Sequence, residues 1–340
     1  MEAVRRYRRR CFFMCGFLVL AAAAAVLLSV YAGSYRASLP ETALAVFHRA
    51  ADPRLNVAVK NLRLPRVLGG LLGGWALGMA GCVLQAVLRN PLASSSTLGI
   101  SQGAAFGAAF AISILGAGRE TGMALTGFCA FAGSMGVALL ILALSRFVRI
   151  GPEAMVLAGV AMSSLFSGAT ALIQYFASDV DLGRLVFWTF GDLGRCGWPE
   201  IRILLASALF CSAFFFLNRW KYNALESGEE SARSLGVNVR RQRLAGLILC
   251  SAATAAVVSF AGLINFIGLI APHIVRRFTG NNHAWLLPGS ALMGATLLLL
   301  SDLAARLILA PVILPIGALT SFLGAPLFLY LLFRGAGKKL

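Results

Sequence analysis

The chain has 340 residues, of which 59% are hydrophobic and 13% charged, with a formal net charge of +17. A soluble domain carries about 25% charged residues, so this chain cannot cover a water-facing surface and reads as an integral membrane protein. The basic excess does not gather on one folded soluble unit, which excludes a nucleic-acid-binding role. The apolar runs are long and continuous rather than alternating segments of about ten residues, so the spans are helices and not barrel strands.

A span needs about twenty apolar residues. By that measure an all-α, polytopic fold of roughly ten transmembrane helices is expected, near 11–31, 64–88, 97–115, 122–145, 152–177, 199–219, 241–261, 262–278, 284–309 and 317–334. They form a single transmembrane domain over residues 1–340. The first run follows RRYRRR and is longer than the ~7–15 residues of a signal-peptide core, so it is read as a retained span. Residues 32–63 are the longest piece between spans. In the second span, Pro65 suits a helix first turn, and Gly70, Gly74 and Gly78 recur every four residues, baring one face for close approach of another helix. That spacing is not a phosphate loop, and GxxxxGK[ST] occurs nowhere in the sequence. Nucleotide, if used, binds to another chain.

Counting the spans from a cytoplasmic N-terminus puts one basic set inside: Arg5, Arg6, Arg8, Arg9, Arg10, Arg146, Arg149, Arg240, Arg241, Arg243, Arg276, Arg277, Lys338 and Lys339. The positive-inside rule expects this, with both termini cytoplasmic. Arg66–Gly81 faintly echoes Arg243–Gly262, and the two would run in opposite senses, as in the inverted repeats of transporters. The seven cysteines (Cys11, Cys15, Cys82, Cys129, Cys196, Cys211, Cys250) are scattered, with no disulfide or metal spacing.

Past the midpoint the chain interrupts itself with YNALESGEESARSLGVNVRRQR. Ser227-Gly228-Glu229-Glu230 has the form of a capping box, and Gly236 offers a left-handed C-cap. Two short helices, about 222–226 and 228–235, are predicted, hinged at Gly228. Holding such a pair costs conformational entropy that an ordinary connection does not need to spend, which points to docking of a cytoplasmic partner.

LESGEESARSLGVNVRRQR resembles the coupling loop of the permeases that import iron-siderophores, haem and cobalamin, the FecCD-like type II ATP-binding-cassette (ABC) importers. The resemblance continues through RLPRVLGGLLGGWALGMAGCVLQAVLRNPLASSSTLGISQGA, through VLAGVAMSSLFSGATALIQYFASDVDLGRLVFWTFGDLGRCGW, and through GLINFIGLIAPHIVRRFTGNNHAWLLPGS to LPIGALTSFLGAPLFLYLLFR. It implies a homodimer in the cytoplasmic membrane with a path on its axis, two ATP-binding subunits beneath, and an extracytoplasmic substrate-binding protein above. The chain itself would be no enzyme and hold no cofactor or metal; ATP and magnesium would sit on the ATPase. Within the coupling segment 222–236, the residues placed against the ATPase are Glu226, Ser227, Gly228, Glu229, Ala232, Arg233, Leu235 and Gly236. Arg63, Arg66 and Arg306 would dock the binding protein, although anchoring at headgroups, or for Arg306 an i,i+4 pair with Asp302, also accounts for them. Ser163, Ser164, Ser167 and Gln174 would face the path. Two departures stand out: Ile313 precedes Leu314-Pro315 where relatives carry glutamate, and Ser94-Ser95-Ser96 replaces an acid-proline pattern.

An ion- or proton-coupled secondary transporter is the main rival, and it needs coupling acids at mid-membrane. Only Asp302 comes close. An intramembrane enzyme needs a nucleophile–base pair or a metal cluster, and His48, His273 and His283 fall in separate regions.

Overall fold

The computed structural model describes residues 2–33, 37–117, 122–148 and 151–336. Arg149, Lys338 and Lys339, expected on the inner face, lie outside the described residues, as does the side chain of Arg146. All regular structure among the described residues is helical. In chain order it comprises α1 (Glu2–Tyr31), α2 (Leu39–Val46), α3 (Pro53–Val57), α4 (Leu64–Val87), α5 (Ile100–Ala109), α6 (Gly122–Val148), α7 (Pro152–Phe176) and α8 (Asp179–Phe190). There follow α9 (Trp198–Leu217), α10 (Arg219–Glu226), α11 (Glu229–Ser234), α12 (Val239–Ala261), α13 (Ile267–Thr279), α14 (His283–Leu307) and α15 (Ile316–Ala336).

Among the described residues, seven helices are long and apolar enough to cross a membrane: α1, the continuous Pro53–Val87, α6, α7, α9, α12 and α14. Ile100–Ile114 and Ile316–Tyr330 are shorter apolar helices. The expected start of the second span at residue 64 is corrected: helix runs from Pro53 through a widened π turn at Ala58–Arg63 into α4. Pro65 has no N–H to give and its ring would clash with a carbonyl one turn back, so the helix loosens just before it.

The span expected at 262–278 does not form as one helix. Residues 262–266 leave helical geometry, with φ of +75° at Gly262 and +64° at Phe266, and α13 has 13 residues. At 1.5 Å per residue that is about 20 Å, too short to cross alone. The break is tolerated because it is buried in protein, where its backbone finds partners. The Asp192 amide donates to the Ala261 carbonyl at 2.8 Å, and Gly191 lies against the backbone of Leu263.

The helix α4 is the centre of the molecule, with 78% of its apolar window buried. Its glycine face does the expected work. A Cβ on Gly74 or Gly78 would run into the carbonyls of Gly294 and Ser290 on α14, so only glycine allows the two backbones this close. Gly73 sits against Val257 and Val87 against Gly246, so α4 and α12 pack antiparallel. That is the opposite sense anticipated for the two echoing segments. By contrast α7 is only 11% buried within the chain.

Candidate functional site

The polar island folds as the helix pair α10 and α11, broken at Gly228, whose φ is +117°. α10 begins at Arg219, three residues earlier than expected, directly from the end of α9. Its inner face is apolar: Tyr222 is fully buried, with ring centroids 6.5 Å from Phe215 and 5.7 Å from His283, and Leu225 is buried beside it. The anticipated capping box is not formed. Ser227 closes α10, its hydroxyl donates back to the Asn223 carbonyl at 3.5 Å, and Gly228 caps α11 without a side chain. The reason is that Ser227 is spent as the C-cap of α10, still in helical geometry, so the N-cap position of α11 falls on Gly228, which has no side chain to accept a bond. Gly236 does supply the left-handed stop, at φ +79°. Its amide donates to Arg233 and that of Val237 to Ala232, both at 2.9 Å, which is the Schellman pattern.

Polar side chains fasten the pair to the helix ends around it. Asn223 Oδ1 accepts from the His283 amide at 2.8 Å, at the start of α14. Glu226 accepts from Asn281 Nδ2 at 3.1 Å and faces Arg276 at 3.9 Å. Burial raises the Glu226 carboxyl above its ordinary 4.5, with Arg276 and Arg89 pulling it back. Glu229 takes Arg233 at 3.2 Å and also Arg243, whose Nε donates to the Val87 carbonyl at 3.2 Å. The pair is therefore a braced unit and not a loose loop. On the same face Arg10 donates to the Arg277 carbonyl at 3.1 Å and Tyr7 to that of Thr279 at 2.7 Å. The N-terminal arginines, the helix pair and the Arg276–Arg277 end thus share one basic face.

Of the eight residues expected to meet an ATPase, Ser227, Arg233, Leu235 and Gly236 are exposed, with Leu235 at 71%. Glu226, Gly228 and Glu229 are half-buried. Ala232 is fully buried and packs inward, so it supports the pair and presents nothing to a partner.

At the opposite end, the three arginines are drawn together but turned inward. Arg66 Nε donates to Asp302 Oδ1 at 2.8 Å, and a terminal nitrogen lies 3.2 Å from Asp192. Arg306 Nε is 3.0 Å from the other Asp302 oxygen, and the same guanidinium donates to the carbonyls of Ala32 and Ser29. Arg63 donates to Val30 and Tyr31 at 3.0 and 3.1 Å. Arg63 and Arg66 are 7% and 8% exposed. The expectation that these charges are offered outward is therefore corrected. The C-terminal carbonyls of α1 have no partners within their own helix and carry the negative end of its dipole, so cations settle there. Sequence reading found the Asp302–Arg306 pair and missed both the Arg66 bond to Asp302 and the capping of α1. The orphan carbonyls at the end of a long helix followed by arginines were the available signal.

Along α7 the four expected path residues separate. Ser163 is half-buried and donates to the Ser96 carbonyl at 3.3 Å, so it ties α7 to the Ser94–Thr97 turn. Ser164 donates within its own helix, to Val160, and stays exposed beside Ser167. Gln174 is half-buried. Among the described residues no group of three or more His, Cys, Asp or Glu side chains could hold a metal.

Residues 20–334 match the FecCD transport family. The chain is 49% identical over 319 residues to a protein of Methanocaldococcus jannaschii named as an ABC transporter permease, MJ0087, covering 91% of each. It is 39% identical to the hemin transport system permease HmuU of Yersinia pestis, covering 81% of this chain and 82% of that one. To the vitamin B12 import permease BtuC of Escherichia coli O157:H7 it is 40% identical, covering 84% and 86%. A solved structure described as a metal-chelate type ABC transporter in an inward-facing conformation superposes with a TM-score of 0.82 at 30% identity, over 94% of this chain and 98% of that one. With this ladder of helices, its braced polar pair and its glycine-faced central span, the chain belongs to the FecCD transport family.

Proposed function

We propose that this chain is the membrane-spanning permease of an ABC importer, passing a metal chelate of the iron-siderophore, haem or cobalamin type from a binding protein into the cytoplasm. Two copies, each of ten spans with both termini cytoplasmic, the non-helical 262–266 stretch completing the crossing that α13 is too short to make alone, enclose the path, which runs along the open face of α7 past Ser164 and Ser167. Two ATP-binding subunits grip α10 and α11 from the cytosol. The binding protein docks at the opposite face, whose shape the Arg63–Arg66–Arg306 cluster holds.

The observation that carries this reading is the helix pair itself. It is pinned at Asn223, Glu226 and Glu229 yet leaves Leu235 71% exposed at its tip. A rigid body with an exposed apolar tip can transmit force from a partner whose two nucleotide states contact it differently. A secondary transporter is disfavoured because Asp302, the only fully buried carboxylate among the described residues, is already held by Arg66 and Arg306. The test is Leu235→Arg in the full chain co-expressed with its ATPase. Loss of ATPase co-purification and of chelate uptake into proteoliposomes, with helicity retained, is expected. Unchanged uptake refutes the lever.

A further inference from the structure

A cavity opens on the basic face, beside the Arg243–Glu229 pair that braces α11. It measures about 550 Å³ and lies between the end of α6 and the starts of α7 and α12. Leu139, Leu142, Met155 and Leu244 form apolar walls, and Arg240 and Arg243 stand among its lining residues. Leu139 is 54% exposed, so the wall faces the surrounding bilayer rather than the protein core.

The two arginines differ. Arg243 is committed to Glu229 and to the Val87 carbonyl. The Arg240 side chain has no hydrogen bond or ion pair among the described residues and is exposed at the first turn of α12. An unpaired guanidinium beside a leucine-lined groove matches a ligand with one anionic end and one hydrocarbon end. The guanidinium fork suits phosphate oxygens. A free phosphate or nucleotide would leave the leucine walls unused. Basic pockets between spans on the cytoplasmic side are suited to anionic headgroups, because that leaflet carries the anionic lipid.

We propose that this cavity binds one anionic phospholipid of the cytoplasmic leaflet, its phosphate on Arg240 and an acyl chain along Leu139, Leu142 and Leu244. The inference rests on the orientation in the proposed function, which puts the basic face in the cytosol. Its consequence reaches the lever: Arg243 borders the cavity and also holds Glu229 of α11, so a phosphate on Arg240 places negative charge beside that pair. Lipid occupancy thereby tunes how firmly α11 is held.

The test is native mass spectrometry of the full-length protein released from mixed micelles holding equal palmitoyl-oleoyl phosphatidylglycerol and phosphatidylcholine. Phosphatidylglycerol should be retained in preference, and Arg240→Gln should lower that preference about fivefold, the effect of removing one interfacial cation. Arg241→Gln, one residue on and outside the cavity lining, should leave it unchanged. Leu139→Trp, which fills the groove, should lower retention of both lipids. Equal retention by wild type and Arg240→Gln overturns the proposal, and so does displacement of the lipid by inorganic phosphate. No ATPase is present, so a negative result here leaves the transport reading standing, and loss of transport coupling leaves this site standing.

Discussion

Asp302 shows how one carboxylate can organise a membrane protein's end. It is 1% exposed, sits between Arg66 and Arg306, and so lets Arg306 reach the carbonyls that close α1. Removing one member of a buried ionic set strands the others, which costs about 3–5 kcal/mol. Asp302→Asn is therefore expected to lower the thermal unfolding temperature in detergent sharply, while Ile313→Ala, at an exposed site nearby in sequence, should not. Glu226 presents the opposite case. Its carboxyl is raised by burial, so the folded state holds the proton more tightly than the unfolded chain does. The stability linked to that proton is complete below about pH 4.5 and is lost as pH rises through the raised folded value. Glu226→Gln should match wild type at acid pH and be the more stable protein near neutrality. Thermal melts across pH read this directly, and an advantage only at low pH would contradict it.

At the scale of elements, two glycines make contrasting demands. Gly236 ends α11 at φ +79° with open space around it, so a side chain there meets strain and no collision. Gly236→Ala should cost about 1–2 kcal/mol, seen as faster hydrogen exchange confined to 229–237. Gly78 is helical but faces the Ser290 carbonyl, and any Cβ must push α4 away from α14. Gly78→Ala should destabilise the whole chain by about 1–3 kcal/mol, the cost of overpacking. If both variants perturbed only local exchange, α4 would not be the central packing helix.

Across the whole molecule the uneven burial of the spans is informative. The central α4 is enclosed, whereas α7 leaves Leu157, Leu165, Leu172 and Phe176 exposed together with the small polar Ser164 and Ser167. Bulky apolar side chains suit lipid or a second copy, and small polar ones suit a watered path. Ser167→Trp should bring chelate uptake in proteoliposomes close to background while leaving ATPase co-purification intact. Full uptake by that variant would move the path off α7.

Composition and run length were enough to establish helical membrane spans, because hydrocarbon admits no unpaired backbone and each crossing needs a fixed length of apolar residues. Local chemistry likewise announced the two short helices, expected at about 222–226 and 228–235 and found at 219–226 and 229–234, with their Gly228 break and the Gly236 stop, since these depend on residues within one turn of each other. Other features depended on neighbours far away in the chain. Whether 262–278 is one helix depended on what Gly191 and Asp192 offer its backbone. Whether Arg63 and Arg66 face out or in depended on carbonyls more than thirty residues earlier and on an acid 236 residues later. Charge and spacing along a chain say that an arginine needs a partner, but only the folded packing of α1, α4 and α14 chooses which one.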